Sequence, residues 1–255
     1  MQLPDVLDLS GKVAIITGAS QGIGRGVALC LARYGAGVTL AARNAANLEE
    51  SAHLVREAGG QACVAVTDVT QADQVVAMVN STLQHFGRVD VLVNNAGILE
   101  LQPLMDMDEQ TWRQVLNTNL TSMFLCCQQV GRHLIEQQQG AVINMASHWS
   151  MIGVSQAVAY AASKSGVTGF TRALAVEWAR HNITVNAVAP GLTATEINAE
   201  ARHDARLRDR ILRQIPLRRF GDVEEVGHLV AYLSSDAARF ITGQTIVMDG
   251  GQIIA

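Results

Sequence analysis

Short apolar, largely β-branched runs alternate with longer stretches of helical spacing along the whole chain. The runs are "KVAIIT" (12–17), "GVTLAA" (37–42), "ACVAVT" (62–67), "VDVLVN" (89–94), "AVINMA" (141–146), "TVNAVA" (184–189) and "TIVMD" (245–249). Several are apolar at successive positions rather than at alternate ones, as strands covered on both faces must be. Between them, 22–34, 47–58, 72–86 and 109–137 carry helical periodicity. Seven strands with intervening helices predict an α/β fold, a doubly wound parallel sheet with helices on both faces. No Pro/Gly/Ser linker, internal repeat or low-complexity tract interrupts the rhythm, so residues 1–255 read as one domain.

One stretch breaks the pattern. About thirty residues, 192–221, separate the sixth run from the next helix, longer than a βα connection requires. Ligands in open α/β sheets sit beyond the carboxyl ends of the strands. The excursion is therefore expected to be a substrate loop acting as a lid; the alternative is a helical detour serving assembly.

Composition narrows the function classes. The 255 residues are 49% apolar and 16% charged, with a net charge of −4, which supports a large core and gives no basic footprint for nucleic acid or a membrane surface. The start of the chain has no basic segment followed by a long apolar one, and no segment approaches a membrane span. A soluble, cytoplasmic protein is expected. Cys30, Cys63, Cys126 and Cys127 lie in apolar stretches and read as reduced side chains. Seven scattered histidines give no metal-site spacing, so no metal is expected.

Chemistry concentrates near the strand ends. "TGASQGIG" (17–24) follows the first strand and opens a helix. Gly18, Gly22 and Gly24 allow a tight turn and close approach of a pyrophosphate, with Ser20, Gln21 and Ile23 completing the cradle at a helix N-terminus. Such a turn makes the sheet Rossmann-type and implies a dinucleotide. At the end of the second strand Ala42 stands where an acid would bond a free ribose 2′-hydroxyl, and Arg43 follows it. That favours NADP, with NAD as the alternative and an exposed strand-end arginine as the bland reading. Asp68 and Val69 end the third strand, the aspartate a candidate partner for the adenine amino group. Asn94, Asn95, Ala96 and Gly97 end the fourth, where the asparagines are expected to tie strand ends together and line the cofactor floor, or to mark a turn.

The stretch "YAASK" places Tyr160 and Lys164 at i and i+4, about 6 Å apart along one helix face. With Ser147 thirteen residues before Tyr160, "NNAG" at 94–97 and "PG" at 190–191, the set resembles the short-chain dehydrogenase/reductase family in its single-domain, 3-oxoacyl-reductase-like branch. The resemblance implies an NAD(P)-dependent ketone–alcohol oxidoreductase with Asn119, Ser147, Tyr160 and Lys164 as catalytic residues, Asn119 positioning a water between Lys164 and solvent. It also implies that Pro190, Gly191, Thr193 and Thr195 lie against the nicotinamide, that Tyr160 and Lys164 help hold the cofactor, and that the protein is a homotetramer, with a dimer as alternative.

A free phenol ionises near 10, about 4 kcal/mol from neutrality. Lys164, together with the positive nicotinamide ring of the oxidised cofactor, is expected to stabilise the Tyr160 phenolate so that it trades protons with a carbonyl or alcohol, while Ser147 holds the substrate oxygen. The pocket is expected to be walled by 98–101, 148–152 and the loop after Gly191, with His148 and Trp149 offering a polar and an aromatic contact. A small-molecule cyclic, sugar-like or other mixed-polarity ketone fits. "EQQQG" (136–140) lacks the basic residues that family reductases of acyl-carrier-protein substrates present there. A 3-oxoacyl-thioester reductase and a non-catalytic nucleotide sensor remain as alternatives.

Overall fold

The computed structural model describes residues 7–196 and 199–255. Seven strands, β1 (Val13–Thr17), β2 (Gly37–Ala42), β3 (Gln61–Val66), β4 (Val91–Asn94), β5 (Gly140–Met145), β6 (Ile183–Pro190) and β7 (Thr245–Met248), form one sheet in the order β3-β2-β1-β4-β5-β6-β7. Every pairing is parallel. The order reverses between β1 and β4, leaving a crevice above their carboxyl ends.

Alternate strand residues explain the unbroken apolar runs. Ile16, Leu40, Val93 and Ile143 pack with α1 (Gly22–Arg33), α2 (Ala45–Glu57) and α9 (Val223–Ser234) on one face. Ile15, Ala41, Leu92 and Val142 pack with α3 (Ala72–Phe86), α5 (Ser122–Gln137) and α6 (Val158–Trp178) on the other. Helices cover both faces, so both parities of position are largely apolar, and the few polar strand residues are hydrogen-bonded inside, as Asn144 is to Asn94 and Thr171. At the opposite end of the sheet the buried Asp90 carboxylate accepts from Val13 N at 2.9 Å and from Arg88, pinning β1 to β4.

The expected helix over 109–137 is not uniform. α4 (Glu109–Leu116) runs into a π-helical turn, Asn117–Thr121, before α5. Widened turns of this kind reorient side chains without ending a helix, and Asn119 sits in the middle of this one. The excursion after β6 contains two short helices, α7 (Ala199–His203) and α8 (Ala205–Arg213). It is pinched at its base, where Gly221 N donates to Leu192 O at 3.0 Å and Ala194 N donates to Gly221 O at 2.9 Å.

Candidate active site

The glycine turn is built by close approach. Thr17 Oγ1 accepts from the backbone N–H of both Asn95 and Ala96 at 3.0 Å, and Asn95 Nδ2 donates to the carbonyls of Thr17 (2.9 Å) and Gly18 (3.2 Å). The end of β4 is thereby clamped to the end of β1. A Cβ on Gly18, at φ +66°, would meet Asn95 Nδ2 at 2.8 Å, and one on Gly24 would overlap the Gly18 carbonyl. α1 starts without any side-chain cap at Gln21, so its first N–H groups are available to an anion. Asn95 does what was expected of it. Asn94 does not line the floor; its amide is buried and donates to Asn144 Oδ1 at 2.9 Å. The strand parity that turns Asn95 toward the crevice turns Asn94 into the sheet interior.

The four catalytic candidates converge. Ser147 follows β5, buried, its Oγ accepting from Trp149 N at 3.2 Å and lying close enough to the Tyr160 phenol to favour its ionised form. Tyr160 and Lys164 share one face of α6, with Lys164 Nζ 5.8 Å from the phenol ring centre. The lysine is buried and donates to Met145 O at 2.6 Å. The Trp149 indole stands edge-on to Tyr160, ring centres 5.7 Å apart, shielding it from water.

The surroundings qualify two expectations. Burial pushes the Tyr160 phenol upward, and the Ser147 hydroxyl only partly offsets it. The Lys164 ammonium, 5.8 Å from the ring centre, is itself desolvated, its pKa falling to about 8; the expected stabilisation of the phenolate pairs this ammonium with the positive ring of the oxidised nicotinamide. The second expectation concerns Asn119. Its side chain accepts from Ile98 N at 2.8 Å and donates to Ile98 O at 2.9 Å and Ser163 Oγ at 3.0 Å. The amide thus holds the strand-end loop against α6, with both Nδ2 donors engaged and one Oδ1 lone pair left for a further donor.

Ser147, Tyr160 and Lys164, but not Asn119, line a cavity of about 1160 Å³, ample for a dinucleotide and a small second molecule. It runs from Gly18, Ser20, Gln21, Gly22, Ile23 and Gly24, past Arg43, Asp68 and Val69, over Asn95, Ala96 and Gly97, to Ser147, Tyr160, Lys164, Pro190, Gly191, Thr193 and Thr195. The Asp68 carboxylate opposes its own burial by accepting from the N–H and hydroxyl of Thr70, and with Arg43 nearby it stays below its usual range. A Cβ at Gly97 would stand 3.2 Å from Asn119 Oδ1 and 3.5 Å from Lys164 Nζ, so glycine there keeps the floor open over the lysine.

The walls differ from expectation in three places. Ile98 and Leu99 line the cavity but Leu101 is exposed outside it, and of 148–152 only His148 and Trp149 reach it. His148 is buried at 3% exposure with Nδ1 bonded to Pro190 O at 3.1 Å, so that edge of its ring braces the β6 end, while its Nε2 has no partner among the described residues and remains as the polar group the ring brings to the cavity wall. Of the excursion, only Leu192, Thr193, Thr195 and Glu196 among the described residues reach the cavity; α7 and α8 do not cover it. In their place the polar face of α4 forms a wall, with Gln110, Arg113, Gln114 and Asn117, which the sequence reading missed. The signal was a strongly polar helix immediately before Asn119.

Comparison with known proteins agrees with this architecture. The family model described as enoyl-(acyl carrier protein) reductase matches residues 18–252. The 3-oxoacyl-[acyl-carrier-protein] reductase FabG of Staphylococcus epidermidis is 42% identical over 94% of this chain and 98% of its own. Gluconate 5-dehydrogenase of Gluconobacter oxydans is 38% identical over 98% of each. A solved gluconate 5-dehydrogenase from Burkholderia cenocepacia, in complex with NADP and tartrate, superposes with a TM-score of 0.93 at 35% identity, covering 98% of both chains. With the glycine turn, the strand order and the Ser147–Tyr160–Lys164 cluster in place, the chain belongs to the short-chain dehydrogenase/reductase family of oxidoreductases.

Proposed function

We propose that this protein is an NADP(H)-preferring oxidoreductase that interconverts a ketone and a secondary alcohol, with Tyr160 as its acid and base. The observation that carries this reading is the Ser147–Tyr160 hydroxyl pair, backed by the buried Lys164, at one end of a cavity whose other end is an uncapped glycine turn. Gly18 and Gly24 let the turn close on itself and on Asn95, so that the uncapped start of α1 faces the cavity, and Gly97 leaves the space above Lys164. The residues therefore fit a nicotinamide dinucleotide, which supplies or takes up the hydride.

The chain handles the proton. Ser147 and Tyr160 hold the substrate oxygen between two hydroxyls, and Tyr160 gives its proton to the developing alkoxide or takes it back in oxidation. Lys164 spends one N–H on Met145 O and keeps two donors for ribose hydroxyls and for returning a proton to the phenol. Trp149 keeps bulk water from the phenol edge and offers a flat apolar wall, which suits a ring or a mixed-polarity carbon skeleton.

NADP preference is supported by Arg43, exposed at the cavity rim and forming no ion pair among the described residues. It stands beside the start of α2, whose first turn carries no acid and so favours a phosphate. The crystallised Burkholderia cenocepacia relative carries NADP. A second reading, a 3-oxoacyl-thioester reductase, is favoured by the identity to the Staphylococcus epidermidis enzyme and opposed by the last turn of α5, which carries Glu136 and no basic residue. Tetrameric assembly is supported by the exposed Phe124 on α5 and Val176 on α6.

The test is NADPH oxidation, read as loss of nicotinamide absorbance, against cyclic ketones, keto-sugars and 3-oxoacyl thioesters. Ketone turnover with NADPH is expected; no turnover of any carbonyl would refute the assignment. Arg43→Ala is expected to raise KM for NADPH by about tenfold or more, the worth of a charge-assisted bond pair, and to leave that for NADH little changed.

A further inference from the structure

The glycine turn has a basic neighbour that the cavity does not touch. Arg25, one turn into α1, folds its guanidinium back so that Nη2 donates to the Ser20 carbonyl at 2.7 Å. Nε donates to Ser51 Oγ at 2.9 Å, and Nη2 meets Glu50 Oε2 at 3.0 Å. Ser51 is fully buried on α2 and passes the link on, donating to Asn47 O at 2.9 Å. Asn47 N is in turn held by the Asn44 cap at 3.1 Å, one residue beyond Arg43. A single planar fork thus joins the diphosphate cradle to the helix start that carries the arginine at the ribose end.

The bond to Ser20 has a consequence for the cavity. In a trans peptide the carbonyl and the following N–H point in opposite directions. Holding the Ser20 carbonyl on Arg25 therefore turns the Gln21 N–H away from the guanidinium. Gln21 lines the cavity and Arg25 does not. Among the described residues the Gln21 N–H has no hydrogen-bond partner, which leaves it a free donor at an uncapped helix start.

From this geometry we infer that Arg25 is a positioning residue for the dinucleotide: it fixes the Ser20–Gln21 peptide in its anion-binding orientation and, through Ser51, sets where α2 presents Arg43. The inference rests on the proposed function only in that a nicotinamide dinucleotide is the ligand. Arg25 acts on both cofactors through the turn, whereas its Ser51 arm acts on the phosphorylated one alone. The surface pair with Glu50 adds little, being 59% exposed on the glutamate side.

Fluorescence titration of NADPH and of NADH, with kcat at saturating cofactor and thermal melting alongside, tests it. Arg25→Ala is expected to weaken both cofactors about tenfold and to leave kcat at saturation within about twofold. Arg25→Lys, which keeps a charge but loses the planar fork, is expected to fold normally and still bind both more weakly. Ser51→Ala is expected to weaken NADPH and spare NADH. Wild-type affinities in Arg25→Lys, a loss confined to NADPH in Arg25→Ala, or equal losses in Ser51→Ala would each overturn the inference. If Arg25→Ala does not fold, the other two variants decide. Failure of the wild-type protein to bind either nucleotide would instead sink the function reading.

Discussion

Lys164 holds a charge where the fold would rather have none, and Lys164→Met exposes that conflict. Burial lowers its pKa from 10.5 to about 8. At about 1.4 kcal/mol per pH unit, keeping it protonated at neutral pH costs the folded state about 3 kcal/mol. Methionine fills a similar linear volume without the charge, but it orphans the Met145 carbonyl, at a cost of about 1–2 kcal/mol. The net expectation at pH 7 is a variant more stable than wild type by about 1–2 kcal/mol. For a chain of 255 residues that is about 2–4 °C in Tm.

The pH dependence carries the sign. Below about pH 8 the lysine is charged in both states and the full penalty applies. Between about 8 and 10.5 the unfolded chain keeps its proton while the folded one loses it, so wild-type stability rises relative to the variant. Above that window both states are neutral and the burial penalty is gone. Urea unfolding of the two proteins at pH 7, 9 and 10.5 reads this directly. A variant no more stable than wild type at pH 7, or a difference that does not shrink with pH, would refute the burial argument. Turnover by the variant should be abolished throughout.

Two further outcomes follow from the same geometry. Tyr160→Phe keeps the ring against Trp149 and removes the proton donor; turnover should fall by about 10²–10⁴-fold with NADPH affinity nearly unchanged, and undiminished turnover would reassign the acid. Gly24→Ala drives a methyl into the Gly18 carbonyl, so NADPH fluorescence enhancement should be lost and Tm should drop by several degrees; normal binding would mean that the turn can open.

The site was legible because its chemistry is local. The glycine turn, "NNAG" and the Tyr160–Lys164 pair each act within one turn or one helical repeat, and chain order along a parallel sheet brings such strand ends to one edge. The excursion was legible as an insertion by length alone, but not as a lid: whether α7 and α8 cover the cavity depends on where their half-buried faces dock, which spacing does not encode. The polar wall of α4 escaped notice for the same reason, since a polar helix face is as compatible with solvent as with a cavity.

Periodicity and spacing were sufficient for the sheet and its two-sided burial, because strand parity and helical repeat are short-range rules; the candidate reacting groups came with the family resemblance. The long-range facts needed coordinates. Asn94 and Asn95 are adjacent and chemically identical, yet one bonds Asn144 inside the sheet and the other clamps Thr17 and Gly18. Arg25 finds Ser51 through the packing of α1 on α2. Desolvation of Tyr160 and Lys164 is likewise a property of everything packed around them, and it pushes the phenol up and the ammonium down, effects that spacing along one helix does not encode.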